Sequence, residues 1–150
     1  MQRQPANVDT LAVELWGAPI PYVGCFAAHH WLVVCRGARR DRWEVWQTKA
    51  AGGTGFGHLH RNLLAPEAGV GSGPARQIMC WTGERAAALA QRIEDSPTRY
   101  RWRERYRYWP GPNSNTYVQW LLGTDLELPR NAIGHRFGRV HTICWQARDS

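Results

Sequence analysis

The chain has 150 residues, of which 43% are hydrophobic and 21% charged, a composition that excludes a wholly disordered protein and suffices for one domain with its own core. No stretch approaches the roughly 20 apolar residues of a membrane helix, and the first residues lack the apolar run of a signal peptide, so we expect a cytoplasmic protein without a membrane span. The formal net charge of +7 is compatible with an anionic partner and equally with a solvated basic surface.

The first half of the chain predicts three β-strands, because apolar residues alternate with other residues or form short runs rich in β-formers. These strands are expected at residues 10–16, 27–36 and 42–48. A short polar turn separates the last two, which therefore form the clearest hairpin of the sequence. Residues 1–9 are interpreted as a flexible N-terminal arm, and residues 10–150 as a single domain.

The middle of the chain is rich in glycine. Residues 50–75 contain two glycine clusters, and neither fits the dinucleotide-binding pattern or a phosphate-binding loop with its lysine. We therefore interpret them as loops around a short segment at residues 58–65, and we predict no cofactor. A further strand is expected at residues 76–82.

The second half predicts two helices on either side of an arginine-rich segment. The first helix covers residues 84–95 and ends before Pro97, and the second covers residues 114–122. Between them, residues 100–108 alternate aromatic and arginine side chains, which predicts a strand with one aromatic face. A last β-rich segment is expected at residues 137–147. This succession of elements favours an α+β fold with a mainly antiparallel sheet.

The cysteines are widely spaced and each lies in an apolar run, without a C-x-x-C pair that would indicate zinc or redox chemistry. They are Cys25, Cys35, Cys80 and Cys144. We interpret them as buried free thiols. The nine tryptophans are spread along the chain and are interpreted first as core residues.

The run Asn113-Ser114-Asn115-Thr116 at the start of the second predicted helix is the first candidate for chemistry. A nucleophile there would gain from the helix dipole and from free N–H groups that could hold an oxyanion. The Ser114 hydroxyl would still need a base. Because Ser, Asn and Thr are also preferred N-cap residues, a purely structural role remains the alternative.

The histidines give the second set of candidates. His29 and His30 are adjacent in a predicted strand, so they point to opposite faces and at most one of them faces a given site. His58 and His60 could bind zinc with His29 or His30 as a third ligand, but no acidic or cysteine residue lies at a spacing typical of zinc sites. We predict no metal site, and His58 could instead orient a catalytic imidazole.

The arginine and aromatic residues at 99–109 could stack bases and pair with phosphates. They could equally pack as a strand with one solvated face, which we favour because a nucleic-acid reader should show more lysine and a broader basic face. Phosphate or nucleic-acid binding is therefore the weaker functional hypothesis.

The sequence resembles a bacterial family of unknown function marked by the motif P-G-P-N-S-N-T-[FY], which is present here at residues 110–117. The resemblance also includes His29-His30-Trp31, residues 43–47 and residues 57–60, and covers most of residues 10–140. The family implies no activity.

The chain is also similar, more distantly, to circularly permuted papain-like proteins, namely the NlpC-type and lecithin:retinol acyltransferase-like groups. In these, a strand histidine precedes a helix that opens with N-C-x-x-F-V, whose cysteine is the nucleophile. Here Ser114 takes the place of that cysteine, and His30 takes the place of the histidine, with His29 as the alternative. The resemblance implies a permuted papain-like α+β domain in which a helix packs on an antiparallel sheet.

The same resemblance implies a hydrolase or acyl-transferase-like protein acting on an amide or ester, with a small-molecule or peptide-like substrate. Ser114 would be the nucleophile and His30 the general base. His58 or Gln47 would orient the imidazole, with Thr48 as a further option because the hairpin register is open.

The binding residues follow from the same comparison. Asn113 or Asn115 would add oxyanion donors to the amide of Ser114. Serine cannot reproduce the depressed pKa of a catalytic thiol, so the alternative is an inactive ligand-binding domain of the same fold. In that case Asn115, His30 and Trp109 would hold the ligand, and the candidate binding surface would also include His29 and Trp31.

Overall fold

The computed structural model describes residues 10–20, 27–71 and 73–138. Six strands and two helices have both ends within this part of the chain. They are β1 (Leu11–Pro19), β2 (Ala28–Arg36), β3 (Arg39–Val45), β4 (Thr54–Phe56), β5 (Leu59–Arg61), β6 (Arg76–Thr82), α1 (Gly83–Arg99) and α2 (Ser114–Leu122). The predicted arm at residues 1–9 and residues 139–147 of the last predicted β-rich segment lie outside the described residues.

The strands form one sheet in the order β4-β5-β3-β2-β1-β6, and every neighbouring pair is antiparallel. The predicted hairpin is present as β2 and β3, where Arg36 pairs with Arg39. Gly37 makes this tight turn with φ of 58°, a left-handed conformation that glycine adopts without steric cost. The predicted α+β class with an antiparallel sheet is confirmed.

The two faces of the sheet pack differently. On one face, side chains such as Leu32 and Val34 form the main core together with α1 and α2. On the other face, Trp31 and Val33 form a smaller cluster, which the loop after β5 covers through a hydrogen bond from Trp31 Nε1 to Pro66 O at 2.9 Å. Successive residues of β2 therefore point to different layers of the molecule.

The start of α2 is fixed by Asn113, which is the N-cap. Its Oδ1 accepts hydrogen bonds from the N–H groups of Asn115 at 3.0 Å and Thr116 at 3.2 Å. In return, the Asn113 N–H donates to Thr116 Oγ1 at 3.1 Å, which completes a capping box. The capping role therefore belongs to Asn113, and the hydroxyl of Ser114 is not used for it.

The end of α1 differs from the prediction, since the helix continues through Pro97 to Arg99. Proline lacks the N–H that would bond the carbonyl four residues earlier. Here Ser96 Oγ donates to Ile93 O at 2.6 Å, so this carbonyl keeps a hydrogen-bond partner.

The prediction of a strand at residues 100–108 is wrong. The chain makes successive turns there, with hydrogen bonds from Arg103 N to Tyr100 O at 3.3 Å and from Arg105 N to Trp102 O at 2.9 Å. Tyr100 and Trp102 are buried in the main core, whereas Tyr108 is exposed. The aromatic residues therefore do not share one face, because packing against the helices overrides the alternating pattern.

The cysteines divide between core and surface. Cys35 is a buried free thiol, as predicted, but Cys80 is exposed. The prediction for Cys80 is wrong because β6 is an edge strand, and nearly all of its side chains face solvent. Cys25 and Cys144 lie outside the described residues.

Candidate functional site

A cavity of about 290 Å³ opens beside the first turn of α2. Its polar lining residues are His29, Gln47, Asn113, Ser114 and Asn115. Its apolar and aromatic walls include Val45, Trp46, Val70, Tyr106, Tyr108 and Ile133. An apolar cavity with a few convergent polar groups is the usual form of a small-molecule site.

Ser114 is the first residue of α2 and lines this cavity. The side chain of Asn113 accepts hydrogen bonds from the N–H groups of the two residues that follow Ser114. Within the described part of the chain, neither the hydroxyl nor the backbone N–H of Ser114 has a hydrogen-bond partner. The helix start therefore keeps one free donor next to a free hydroxyl, an arrangement that can bind a ligand oxygen.

His30 does not meet Ser114, which corrects the expected pairing. Its Nδ1 lies 2.9 Å from Asn115 Oδ1, and its backbone N–H donates to the same oxygen at 3.2 Å. The amide nitrogen of Asn115 donates to Ala28 O at 2.9 Å and to Ile133 O at 3.0 Å. Because Asn115 Oδ1 can only accept, Nδ1 of His30 carries a proton.

Burial lowers the pKa of His30 to about 4, although the bond to Asn115 opposes this shift. The ring is therefore neutral near pH 7. Its edge packs over β1, where a Cβ on Gly17 would lie 3.0 Å from the ring. His30 thus joins α2 to the sheet and is not placed to act as the base for Ser114.

His29 is the histidine that lines the cavity together with Ser114. Its Nε2 donates to Glu44 Oε2 at 2.7 Å. Within the described residues, the other ring nitrogen, Nδ1, makes no hydrogen bond. Of the two adjacent histidines, His29 is therefore the one that lines the cavity. The reason is the alternation of side chains along β2, which turns His30 toward Asn115.

Glu44 is fully buried, and it is held from two sides. Arg42 Nη2 donates to the same carboxylate oxygen that binds His29, at 2.8 Å. Burial alone would raise the pKa of Glu44, but the bonds and charges of His29 and Arg42 outweigh it, and the pKa is lowered. Glu44 is therefore a carboxylate, which fixes the orientation of the His29 ring.

Arg42 is itself fully buried, and the loop that covers this face of the sheet binds one of its two terminal nitrogens, whereas Nε has no hydrogen-bond partner among the described residues. Its guanidinium donates to Ala65 O at 3.0 Å and to Ala68 O at 2.6 Å. It also lies over the Trp31 ring, 3.8 Å from the ring centroid. Trp31 therefore packs against the buried Arg42 guanidinium. It does not line the cavity, so its predicted role in ligand binding is not supported.

His58 makes no hydrogen bond with His29 or His30 within the described residues. Its Nδ1 bonds to Trp46 O at 2.9 Å, and its ring packs near Tyr106, with centroids 5.6 Å apart. The side chain that holds the His29 ring is instead Glu44. Gln47 does line the cavity, but it makes no hydrogen bond with His29 or with any other residue of the described ranges.

Trp109 is 74% exposed and is not among the lining residues. It follows Tyr108, which does line the cavity, so it lies outside the site on the adjoining surface. Asn113 and Asn115 line the cavity as expected, but the side-chain nitrogen of each already donates to two backbone carbonyls within the fold. Oxyanion donation at this helix start is therefore left to the Ser114 N–H.

Sequence reasoning missed Glu44 and Arg42. The signal that could have found Glu44 is a carboxylate inside the otherwise apolar run Trp43-Glu44-Val45-Trp46, in the strand that pairs with the histidine strand. A charged residue in such a run needs a buried partner. Arg42, two residues earlier, shares its face of the strand and supplies one.

Among the described residues, no group of three or more His, Cys, Asp or Glu side chains could hold a metal ion. A search of the same residues finds no helix with the length and hydropathy to cross a membrane.

A protein-family model with the description "Protein of unknown function (DUF3750)" matches residues 10–137. The matched region includes the cavity, α2 and the His29–Glu44 pair. No curated protein and no solved structure matches the chain.

Proposed function

The chain belongs to this family of proteins of unknown function, and we propose that it acts as a hydrolase or acyl-transferase on an amide or ester. The observation that carries the proposal is that Ser114 and His29 line the same cavity, while a buried carboxylate holds the far side of the His29 ring. A nucleophile, a base and a group that orients the base are the parts that acyl transfer requires.

In the proposed reaction, Nδ1 of His29 takes the proton of the Ser114 hydroxyl as the oxygen attacks the carbonyl carbon of the substrate. Glu44 stabilises the imidazolium that forms. The Ser114 N–H donates to the developing oxyanion, assisted by the dipole of α2. The imidazolium then protonates the leaving amine or alcohol, and a water molecule or a second alcohol or amine releases the acyl group from Ser114.

The proposal includes the permuted papain-like arrangement. It is supported by the order of the elements, in which a strand histidine precedes a helix that opens with the nucleophile. The antiparallel sheet and the packing of α2 on one of its faces agree with such a fold. The departures are the serine in place of a cysteine and the position of the base, which is His29 and not His30.

A second candidate is a binding domain that uses the same cavity without catalysis. One observation favours it, namely that no hydrogen bond joins the Ser114 hydroxyl to His29 among the described residues. Catalytic hydrogen bonds are often long before substrate binds, so the missing hydrogen bond does not decide between catalysis and binding alone.

A fluorophosphonate probe separates them, because it reacts only with an activated serine. We expect labelling of the wild type, no labelling of Ser114→Ala, and strongly slowed labelling of His29→Gln. The matched control is Ser96→Ala, which removes a serine that bonds Tyr117 in the core at 2.8 Å and should keep the label if the variant folds. Equal labelling of the wild type and Ser114→Ala, or no labelling of folded wild type, would favour the binding domain.

A further inference from the structure

We infer that the ligand of this cavity is an amphiphilic anion, whose apolar part fills the cavity while its acidic group lies at the mouth beside Arg107. The inference names the substrate class of the proposed function and rests on it. It follows from three properties of the site: an uncharged interior, an arginine with no partner at its border, and the positive end of α2.

The interior of the cavity suits an apolar group. Val45, Val70 and Ile133 contribute aliphatic walls, and Trp46 and Tyr106 contribute aromatic ones. The described lining includes no Asp, Glu, Lys or Arg. The volume of about 290 Å³ is near the lower end for ligand sites, which indicates a short chain or a single ring system.

The border of the cavity carries Arg107. This residue is exposed and lies between Tyr106 and Tyr108, both of which line the cavity. Its guanidinium makes no hydrogen bond or ion pair with any residue in the described ranges. It is thus an unpaired cation within reach of the mouth, and a guanidinium binds carboxylate and phosphate oxygens in a bidentate manner.

The backbone around Arg107 is tied to the start of α2. The Arg107 N–H donates to Pro112 O at 2.8 Å, and Asn113 Nδ2 donates to Tyr108 O at 2.8 Å. These bonds hold the backbone of Arg107 against the turn that leads into Ser114, whose free N–H lies at the positive end of the helix dipole. The inferred site has the Arg107 guanidinium on this same side of the mouth, where its charge would add to that of the helix end.

The acidic residues nearby do not cancel this potential. Glu104 forms an ion pair with Lys49 at 2.9 Å, and Glu44 is bound by Arg42 and His29. An anionic group at the mouth would be attracted, and a cationic one repelled. The ligand that fits both the wall and the mouth carries a short apolar part and one acidic group.

Binding is tested on the Ser114→Ala variant, which keeps the cavity but cannot turn over a substrate. The probes are octyl phosphate, inorganic phosphate, octanol and octyltrimethylammonium, each titrated by calorimetry. We expect octyl phosphate to bind most tightly, since it alone combines an apolar chain for the cavity walls with an acidic group for the mouth. Equal binding of octanol, or tighter binding of the cation, would overturn the inference.

The role of Arg107 is tested by Arg107→Ala in the same background. Loss of one charged hydrogen bond should weaken octyl phosphate by about tenfold, and Arg107→Lys should restore part of the affinity. The matched control is Arg85→Ala, an exposed arginine of α1, which should bind like the parent. Circular dichroism checks that each variant folds. Equal affinity of the Arg107→Ala and Arg85→Ala variants contradicts the inference.

Two further titrations identify the source of the anion. Vesicles of phosphatidylglycerol that bind while octyl phosphate does not would assign the arginines to a membrane surface and overturn a ligand in the cavity. A single-stranded oligonucleotide that binds and that octyl phosphate does not displace would overturn it in favour of nucleic acid.

The outcomes separate the two proposals. If octyl phosphate binds as expected but the fluorophosphonate does not label folded wild type, only the catalytic proposal fails. If the fluorophosphonate labels Ser114 but octyl phosphate does not bind, only the assignment of the ligand fails.

Discussion

Asn115 holds His30 through a single side-chain oxygen, which accepts from the backbone N–H at 3.2 Å and lies 2.9 Å from Nδ1 of the ring. The two residues are 85 positions apart in the chain. This contact fixes the first turn of α2 over the start of β2. Successive helical residues point about 100° apart, so the preceding residue, Ser114, is free to line the cavity.

Replacing Asn115 by Ala should strongly destabilise the protein. The change removes the bonds to His30 and to the carbonyls of Ala28 and Ile133, and it leaves buried groups without partners. We expect a loss of about 3 kcal/mol in the free energy of unfolding, measured by urea denaturation. Thr98→Ala, which removes an exposed hydroxyl, is the control and should change it by less than about 1 kcal/mol. A similar small effect for both variants would show that Asn115 does not join the helix to the sheet.

Stability should fall at acidic pH because of His30. Its pKa drops from 6.5 to about 4 on folding, so below pH 6.5 the unfolded chain binds a proton that the native state excludes. The contribution of His30 is complete above pH 6.5 and declines between pH 6.5 and pH 4, by roughly 3 kcal/mol at most. Urea denaturation at several pH values measures this decline.

The control for this pH dependence is His30→Gln, which has no titrating ring. The difference in unfolding free energy between the wild type and this variant should shrink, or change in favour of the variant, as the pH falls through that window. A difference that stays constant from pH 7 to pH 4 would contradict a depressed pKa.

Glu44→Gln should be costly for both stability and reactivity. The change leaves the buried charge of Arg42 without its carboxylate, which we expect to cost about 3 kcal/mol or more. The exposed pair of Arg36 and Glu94 offers the control, since Glu94→Gln should cost less than about 1 kcal/mol. Urea denaturation compares the stability of the two variants. We also expect the fluorophosphonate to label folded Glu44→Gln more slowly than Glu94→Gln. Equal rates would remove Glu44 from the proposed mechanism.

Substitutions of Asn113 should separate its two roles. Asn113→Ala loses the cap, worth about 1 kcal/mol, and also the bonds from Nδ2 to Tyr108 O and Ile133 O. Asn113→Asp keeps the cap acceptor but loses both donor bonds. We expect stability in thermal denaturation to decrease in the order wild type, Asn113→Asp, Asn113→Ala. An aspartate variant as stable as the wild type would show that the donor bonds contribute nothing.

The proposed site could be predicted from the sequence only in part. The run Asn113-Ser114-Asn115-Thr116 indicates a helix start by local chemistry alone, and α2 begins at Ser114 as predicted. The sequence did not reveal that Glu44 would bind His29, because that contact depends on how β3 lies beside β2. It also suggested His30 as the base, whereas the alternation of side chains along β2 brings His29 to the cavity and turns His30 toward Asn115.

Local signals were enough to predict the β2–β3 hairpin, the bounds of α2 and the α+β class. Apolar periodicity, turn residues and caps act over a few positions and are readable without coordinates. Two features could not be read from local signals: residues 100–108 turn instead of forming a strand, and Arg42, Glu44 and His29 are joined by buried hydrogen bonds. Those outcomes depend on contacts between distant segments, where packing and the pairing of buried charges outweigh local preference.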